Sequence, residues 1–269
     1  MTTVSRMASL AKRWPRAAAA TRDGGRTLVL LGVSLVLIAT AGCGTGAPGA
    51  DDQIALKGSR PPDVSPLFQP LPQAAEHPPD NPGTKERIEL GHKLFFEPKL
   101  SRSGVISCNT CHVVGAAGVD SRPVAIGEGA RTGPRNSPTV FNAAFLAAQF
   151  WDGRAPTLEE QAKGPIQAHV EMDLTPEEAV QRLRETGYEP LFRAAFPDEE
   201  DPLTFDNIAK AIAAFERTLI TPGAPFDRYL EGDTAALTPL QKRGLAIFQE
   251  AGCIGCHNGV LLGGNGYAA

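Results

Sequence analysis

Two pentapeptides in this chain set cysteine and histidine at the same spacing: Cys108-Asn109-Thr110-Cys111-His112 and Cys253-Ile254-Gly255-Cys256-His257. The C-x-x-C-H order suits covalent attachment of a c-type haem. Two thiols reach the two vinyl groups of one porphyrin, and the adjoining imidazole sits on the iron. A single C-x-x-C pair also suits a thioredoxin-like dithiol or half of a four-ligand zinc site. Two copies, each with its histidine, favour haem. A structural disulfide within either pair is disfavoured, because a two-residue gap closes a strained ring. On this reading Cys108, Cys111, Cys253 and Cys256 carry two haem c groups, with His112 and His257 as proximal axial ligands. The motifs alone do not separate an electron carrier from an enzyme.

The elements that must hold these motifs are helical. From Thr84 onward apolar residues recur at helical spacing, and strand signals are nearly absent. Ile88, Leu94 and Phe95 mark one face of a first helix ending near Pro98. Thr157-Leu158-Glu159-Glu160 and Thr175-Pro176-Glu177-Glu178 read as capping boxes, with Gly187 placed to stop the second of these helices. Phe205, Ile208, Ile212, Phe215 and Leu219 form the strongest amphipathic stripe. Thr238-Pro239-Leu240-Gln241 opens a helix that leads into Cys253. The expected fold is mostly α, with two cytochrome c-like haem domains, long loops and an incomplete second domain.

Composition narrows the function classes. The chain has 269 residues with 26 Lys+Arg against 30 Asp+Glu, and a net charge of −4 gives no support for nucleic-acid binding. Six of the basic residues (Arg6, Lys12, Arg13, Arg16, Arg22, Arg26) cluster ahead of the apolar run Leu28–Ala41, so the remainder is distinctly acidic. A basic region, a short apolar run and small residues at Ala41-Gly42 form an export signal, too short for a membrane span. Cys43 follows as a candidate lipidation site, so 1–43 reads as signal peptide and lipobox, with Thr40 where Leu is usual. Residues 44–82 hold nine prolines and read as an extended tether, with His77 solvated there. Residues 83–235 then form the first haem domain and 236–269 the start of the second. The expected location is the periplasm or cell envelope, with membrane contact only through an N-terminal lipid.

The stretch from Leu90 to Gly264 resembles the bacterial dihaem cytochrome c peroxidase family, which includes MauG-like enzymes. The resemblance rests on pieces in family order: Leu90-Gly91-His92-Lys93-Leu94-Phe95-Phe96, Gly133-Pro134-Arg135-Asn136-Ser137-Pro138-Thr139, and Phe150-Trp151-Asp152-Gly153-Arg154. It continues through Gln161-Ala162-Lys163-Gly164-Pro165, Glu171-Met172, Ala214-Phe215-Glu216-Arg217-Thr218-Leu219 and Pro225-Phe226-Asp227-Arg228-Tyr229-Leu230. The resemblance implies that the His112 haem is peroxidatic. The His257 haem receives electrons from a small donor cytochrome or copper protein (a cupredoxin), and hydrogen peroxide is reduced to two waters. It implies that Glu171 is the distal carboxylate, which moves a proton between the peroxide oxygens. It also implies that Trp151 is an electron-relay medium between the haems and that Asn136 is a calcium ligand. A homodimer is usual in the family. Read without the family, Glu171 is a helix-flanking acid, Trp151 a packing residue and Asn136 a turn residue. Asp152 and Arg154 are expected to lock their loop through an ion pair.

Two departures stand out. Family members place a His in the Gly-x-Gly turn to cap the peroxidatic iron; here Gly127-Glu128-Gly129 offers a carboxylate. The expectation is a five-coordinate or water-bound haem that needs no reductive activation. His169, the nearest other imidazole, reads as a surface or packing residue rather than a ligand. The chain stops twelve residues after His257, whereas the family continues through helices that complete the second haem pocket. That leaves the second haem without an evident sixth ligand. A non-catalytic dihaem electron carrier is the alternative from another class, and a MauG-like oxidising enzyme is a third.

Overall fold

The computed structural model describes residues 67–263 together with 266 and 267. The expected signal run, Cys43 and the first part of the Pro-rich segment lie outside the described residues. Thr84 caps the first helix, α1 (Lys85–Phe95), by accepting from the Arg87 N–H. Its buried face is Leu90, Gly91, Leu94 and Phe95; Ile88 is only half-buried. A 3-10 turn at Pro98–Leu100 follows, then α2 (Cys108–Cys111), which consists of the first cysteine pair and the residues between. Next come α3 (Leu158–Gln167), α4 (Pro176–Glu185), α5 (Glu189–Ala195), α6 (Phe205–Glu216), α7 (Pro225–Leu230) and α8 (Pro239–Glu250). Among the described residues no strand forms; there are only isolated bridges. The expectation of a mostly α fold holds.

The core is built on α1 against α6. Leu90, Leu94 and Phe95 meet Ile208, Ile212 and Phe215 in one buried cluster, and the Phe95 and Phe215 rings lie edge to face at 5.4 Å. Close approach is possible because Gly91 has no side chain: a Cβ there would come within 1.8 Å of the Ala211 carbonyl oxygen. Ala209, Ala211, Ala213 and Ala214 are also fully buried, so α6 is covered nearly all round rather than on one stripe. Leu219 stays buried although the helix ends before it. Helix α3 adds Ala162 and Ile166 to the same core. The Thr175 capping box is complete, whereas Thr157 caps α3 through the Glu160 N–H alone. Gly187 takes a φ of 81° just after α4, as its place in the sequence predicted.

The tail of the expected tether departs from the sequence reading. Residues from Phe68 onward pack on the body: Phe68 is 2% exposed and Asn81 fully buried. Asn81 donates to Glu159 at 2.7 Å and to the Lys210 carbonyl at 2.9 Å. His77 is half-buried rather than solvated, with its ring against Gly83 and its Nδ1 buried without a partner. Burial, with Arg217 nearby, lowers its pKa. Proline-rich composition reports an extended backbone, but an extended backbone also packs where it carries a large apolar anchor such as Phe68.

Candidate functional site

The first motif is held from below by its own short helix. The His112 N–H donates to the Cys108 carbonyl at 2.9 Å, and the Ser107 N–H donates to Thr110 Oγ1 at 3.0 Å. His112 Nδ1 lies 2.9 Å from the Pro138 carbonyl oxygen. As a carbonyl can only accept, the proton is on Nδ1, which leaves Nε2 with a free lone pair for a metal. Burial lowers the pKa of this imidazole, which keeps it neutral as a ligand must be. Cys108 and Cys111 are free thiols whose pKa values burial pushes upward. A dithiol nucleophile needs the opposite shift, while a neutral thioether does not.

Cys111 and His112 open into a cavity of about 880 Å³, on whose wall Glu171, Arg154, Gln161 and Glu216 also lie. Its size and mixed lining, largely apolar with a few convergent polar groups, fit a large flat cofactor. The C-x-x-C-H chemistry, the oriented imidazole and the cavity beside it together fit a covalently bound haem.

Glu171 is carried by a loop that folds back over the end of α3. Pro165 lies in the last turn of that helix, and the terminal carbonyls of Pro165 and Ile166 accept from the Met172 and Leu174 N–H groups at 3.1 and 2.9 Å. On its other side the loop is clamped by the turn 127–131. The Glu128 N–H donates to the Glu171 carbonyl at 2.8 Å, and Arg131 donates to the His169 carbonyl and pairs with Asp173 at 2.7 Å. Gly127 has to be glycine for this clamp, since a Cβ would reach 2.2 Å from the Val170 carbonyl oxygen. The Glu171 side chain is half-buried and has no side-chain hydrogen bond among the described residues. Burial raises its pKa, and the charge of Arg154 partly opposes that. A carboxyl raised towards neutrality beside a cavity is suited to receive and return a proton.

Glu128 is 4% exposed and does not line the cavity. Its carboxylate accepts from the Ser103 N–H at 2.9 Å and the Ser103 hydroxyl at 2.7 Å. Burial works against its charge, but these hydrogen bonds outweigh it and hold the pKa below the ordinary value. His169 is exposed and pairs with Asp173 at 3.2 Å, in keeping with a surface role.

Trp151 is 45% exposed, lines the cavity and donates from Nε1 to the Asn136 carbonyl at 3.0 Å. Asn136 thus steadies the indole through its backbone, and its side chain is at the surface. The expected Asp152–Arg154 ion pair forms at 2.8 Å, and Arg135 joins it at 3.2 Å. The Arg154 guanidinium also sits 3.4 Å from the centre of the Phe150 ring, a cation–π contact that aims it along the cavity wall.

The second motif has a different setting. Cys253–Gly255 forms a 3-10 turn, Cys253, Cys256 and His257 are exposed, and α8 before them has no buried residue. His257 Nδ1 lies 3.1 Å from the Leu262 carbonyl oxygen, the same orienting device as at His112. Phe68 fastens this motif to the body. Its ring is 5.4 Å from Phe226 and 6.4 Å from Phe248, and the Gly259 N–H donates to the Leu67 carbonyl at 2.8 Å.

The family profile described as di-haem cytochrome c peroxidase matches residues 85–235. This chain belongs to that family. Cytochrome c551 peroxidase of Pseudomonas aeruginosa is 55% identical over 205 residues, covering 76% of this chain and 59% of that protein. Methylamine utilization protein MauG of Methylorubrum extorquens is 46% identical, covering 70% of this chain and 53% of its own length. Cytochrome c peroxidase Ccp of Escherichia coli is 43% identical, covering 74% and 41%. A crystal structure of a MauG-like protein associated with microbial copper homeostasis superposes with a TM-score of 0.64 at 33% identity, over 70% of this chain and 57% of that one. The chain therefore spans about half the length of these relatives. As a dihaem cytochrome peroxidase family member, it has two haem sites implied by the family as well as by its two motifs.

Of the residues singled out in the sequence, Cys111, His112, Glu171, Trp151 and Asn136 line one cavity, which also holds polar groups the sequence reading gave no role there. Arg154 was read only as a loop lock, and Gln161 only as part of a matching segment. Glu216 carried the clearest overlooked signal: a carboxylate adjoining the strongest apolar stripe in the chain.

Proposed function

We propose that this chain is a dihaem peroxidase that reduces hydrogen peroxide to water with electrons from a small donor protein, a cytochrome c or a cupredoxin. The observation that carries the reading is one cavity faced by both an imidazole oriented through its Nδ1 by the Pro138 carbonyl and a half-buried glutamate whose pKa burial raises. When bound, the haem supplies the redox-active iron against which peroxide is reduced. Cys108 and Cys111 would hold it covalently and His112 would hold the iron. Glu171 takes the proton from one peroxide oxygen and returns it to the other, so that the departing oxygen leaves as water. Arg154 faces the same space and favours the charged form of Glu171 at the moment the proton has left it. The α3 end and the 127–131 turn hold that carboxyl in place.

The same reading extends to finer points. Glu128 is engaged by Ser103, which supports a resting His112 haem with no protein ligand from that turn, ready without reductive activation. Trp151 is the relay between the haems, supported by its position on the cavity wall. Cys253, Cys256 and His257 hold the second haem, whose exposed setting suits contact with a donor. A calcium ion at Asn136 rests on the hard side-chain oxygen of that exposed residue; no group of three or more His, Cys, Asp or Glu residues forms a metal site among the described residues. Residence in the periplasm, lipidation at Cys43 and a homodimer complete the proposal. Among the described residues no helix is long and apolar enough to cross a membrane.

Stopped-flow turnover of hydrogen peroxide with a reduced donor cytochrome tests the central step. Glu171→Gln is expected to lower kcat by roughly 10²–10⁴ while leaving haem content unchanged. Unchanged turnover would remove Glu171 from the chemistry, and absence of turnover in the haem-loaded wild type would favour the electron-carrier reading.

A further inference from the structure

Helix α6 ends in a carboxyl group that the proposed peroxide chemistry does not use. Glu216 is 6% exposed, lines the same cavity as Cys111 and His112, and has its Oε2 buried with no hydrogen-bond partner among the described residues. An isolated buried carboxylate is costly, and the simplest relief is to bind a proton. The neighbouring cation relieves it only in part and donates no hydrogen bond to it. Arg217 commits both terminal nitrogens to Glu159, with Nη1 to Oε1 at 2.7 Å and Nη2 to Oε2 at 3.1 Å, and Asn81 adds a third bond to that carboxylate.

The charges acting on Glu216 come from few places. Arg217, the next residue in the chain, favours its ionised form; Glu159 on α3 disfavours it. Cys108 on α2 feels its charge in turn. Across the cavity stand Glu171, Arg154 and Arg135, with His112 on the floor. Neither α1 nor α4, the other helices packed on α6, contributes a charge that acts on it. Desolvation dominates and raises the pKa of Glu216 to about 8. That places its protonation within reach of a single added or removed charge in the cavity.

We propose that Glu216 takes up one proton when the haem tethered at Cys108 and Cys111 gains one electron, supplied by the small donor protein through the second haem, and releases it when that electron leaves. The electron adds one negative charge to the cavity; the new O–H bond on Glu216 cancels it. When the electron passes on to peroxide, that O–H bond breaks and the proton becomes one of the two needed to form water. Electron arrival is thereby made cheaper in a low-dielectric site, and a proton is stored beside the reaction. This inference rests on the first motif carrying haem, as in the proposed function.

The test is a redox titration of the haem-loaded chain by visible spectroscopy across about pH 6 to 9, in wild type and in Glu216→Gln. One of the two haem transitions in wild type is expected to fall with pH, approaching about 59 mV per pH unit, the one-electron equivalent of a tenfold change in proton activity. That slope holds between the pKa of Glu216 in the oxidised protein and that in the reduced protein, and flattens outside them. In Glu216→Gln that transition is expected to be flat while the Soret spectrum is retained. A wild-type transition without slope, or an equal slope in Glu216→Gln, would overturn the proposal. Should that variant not fold, redox-difference infrared spectra of Glu171→Gln protein decide the matter. Reduction is expected to bring up the carbonyl band of a protonated carboxyl that shifts in deuterium oxide, and absence of the band rejects the idea. A chain that takes up no haem in a host competent for cytochrome c maturation removes the proposed function, and this inference with it. A haem-loaded chain with flat potentials removes this inference alone.

Discussion

At the residue scale, three buried or half-buried glutamates take three different states from their surroundings. Glu128 has hydrogen-bond donors and is held low; Glu171 has the charge of Arg154 but no donor and is raised; Glu216 has the charge of Arg217 but the heaviest burial, and is raised to about 8. Side-chain identity did not set these differences; the donors within reach did. Glu128 also links the loop of Ser103 to the loop of Glu171, through its carboxylate on one side and its N–H on the other. Glu128→Ala would keep the backbone bond but leave the Ser103 donors without their acceptor. The expected cost is about 1–3 kcal/mol in a denaturant melt. Turnover should fall further than haem content, because the turn that clamps the Glu171 loop then loses its own tie to the Ser103 loop.

At the scale of elements, helix packing decides what the site can tolerate. The α1–α6 contact depends on the bare backbone at Gly91, where a methyl group would meet backbone rather than a movable side chain. Gly91→Ala is therefore expected to destabilise the fold by at least about 1–3 kcal/mol, with a lower thermal midpoint and reduced haem incorporation. The buried Arg217–Glu159 pair locks α3 to the end of α6 and frames Glu216. Arg217→Met would strand Glu159 as a buried charge, at an expected cost of about 3–5 kcal/mol in an equilibrium melt. The pair also fixes a pH dependence. Burial opposes the charge of Glu159, but the bonds from Arg217 and Asn81 prevail and hold its pKa below the ordinary 4.5. Its contribution to stability is complete above 4.5 and drains away as pH falls through the lower folded value. An acid titration of wild type should show that loss, and Arg217→Met should lack it.

At the scale of the whole molecule, the two haem motifs are joined by a segment far from both in sequence. Phe68 bridges α7 and α8 to the main body, and the Leu71 N–H donates to Asp227 at 3.1 Å. Phe68→Ala is expected to cost about 3–5 kcal/mol locally. Limited proteolysis should then cut near 239–260 well before the 85–235 region, while wild type resists at both. Equal resistance of the variant would show that the second motif is held by other contacts. The sequence by itself determined the two C-x-x-C-H motifs, on which the proposed haem attachment rests, and most helix starts. Each of these is local: a C-x-x-C-H spacing, or a Thr that caps the N–H three residues on. Only the tertiary structure decided that Gln161 from α3, Glu171 from a folded-back loop and Glu216 from α6 share one cavity with His112. It also decided that a proline-rich stretch ends in a packed anchor. Such outcomes depend on burial and on partners tens of residues away, and those set the desolvation and hydrogen bonds from which a carboxyl takes its charge.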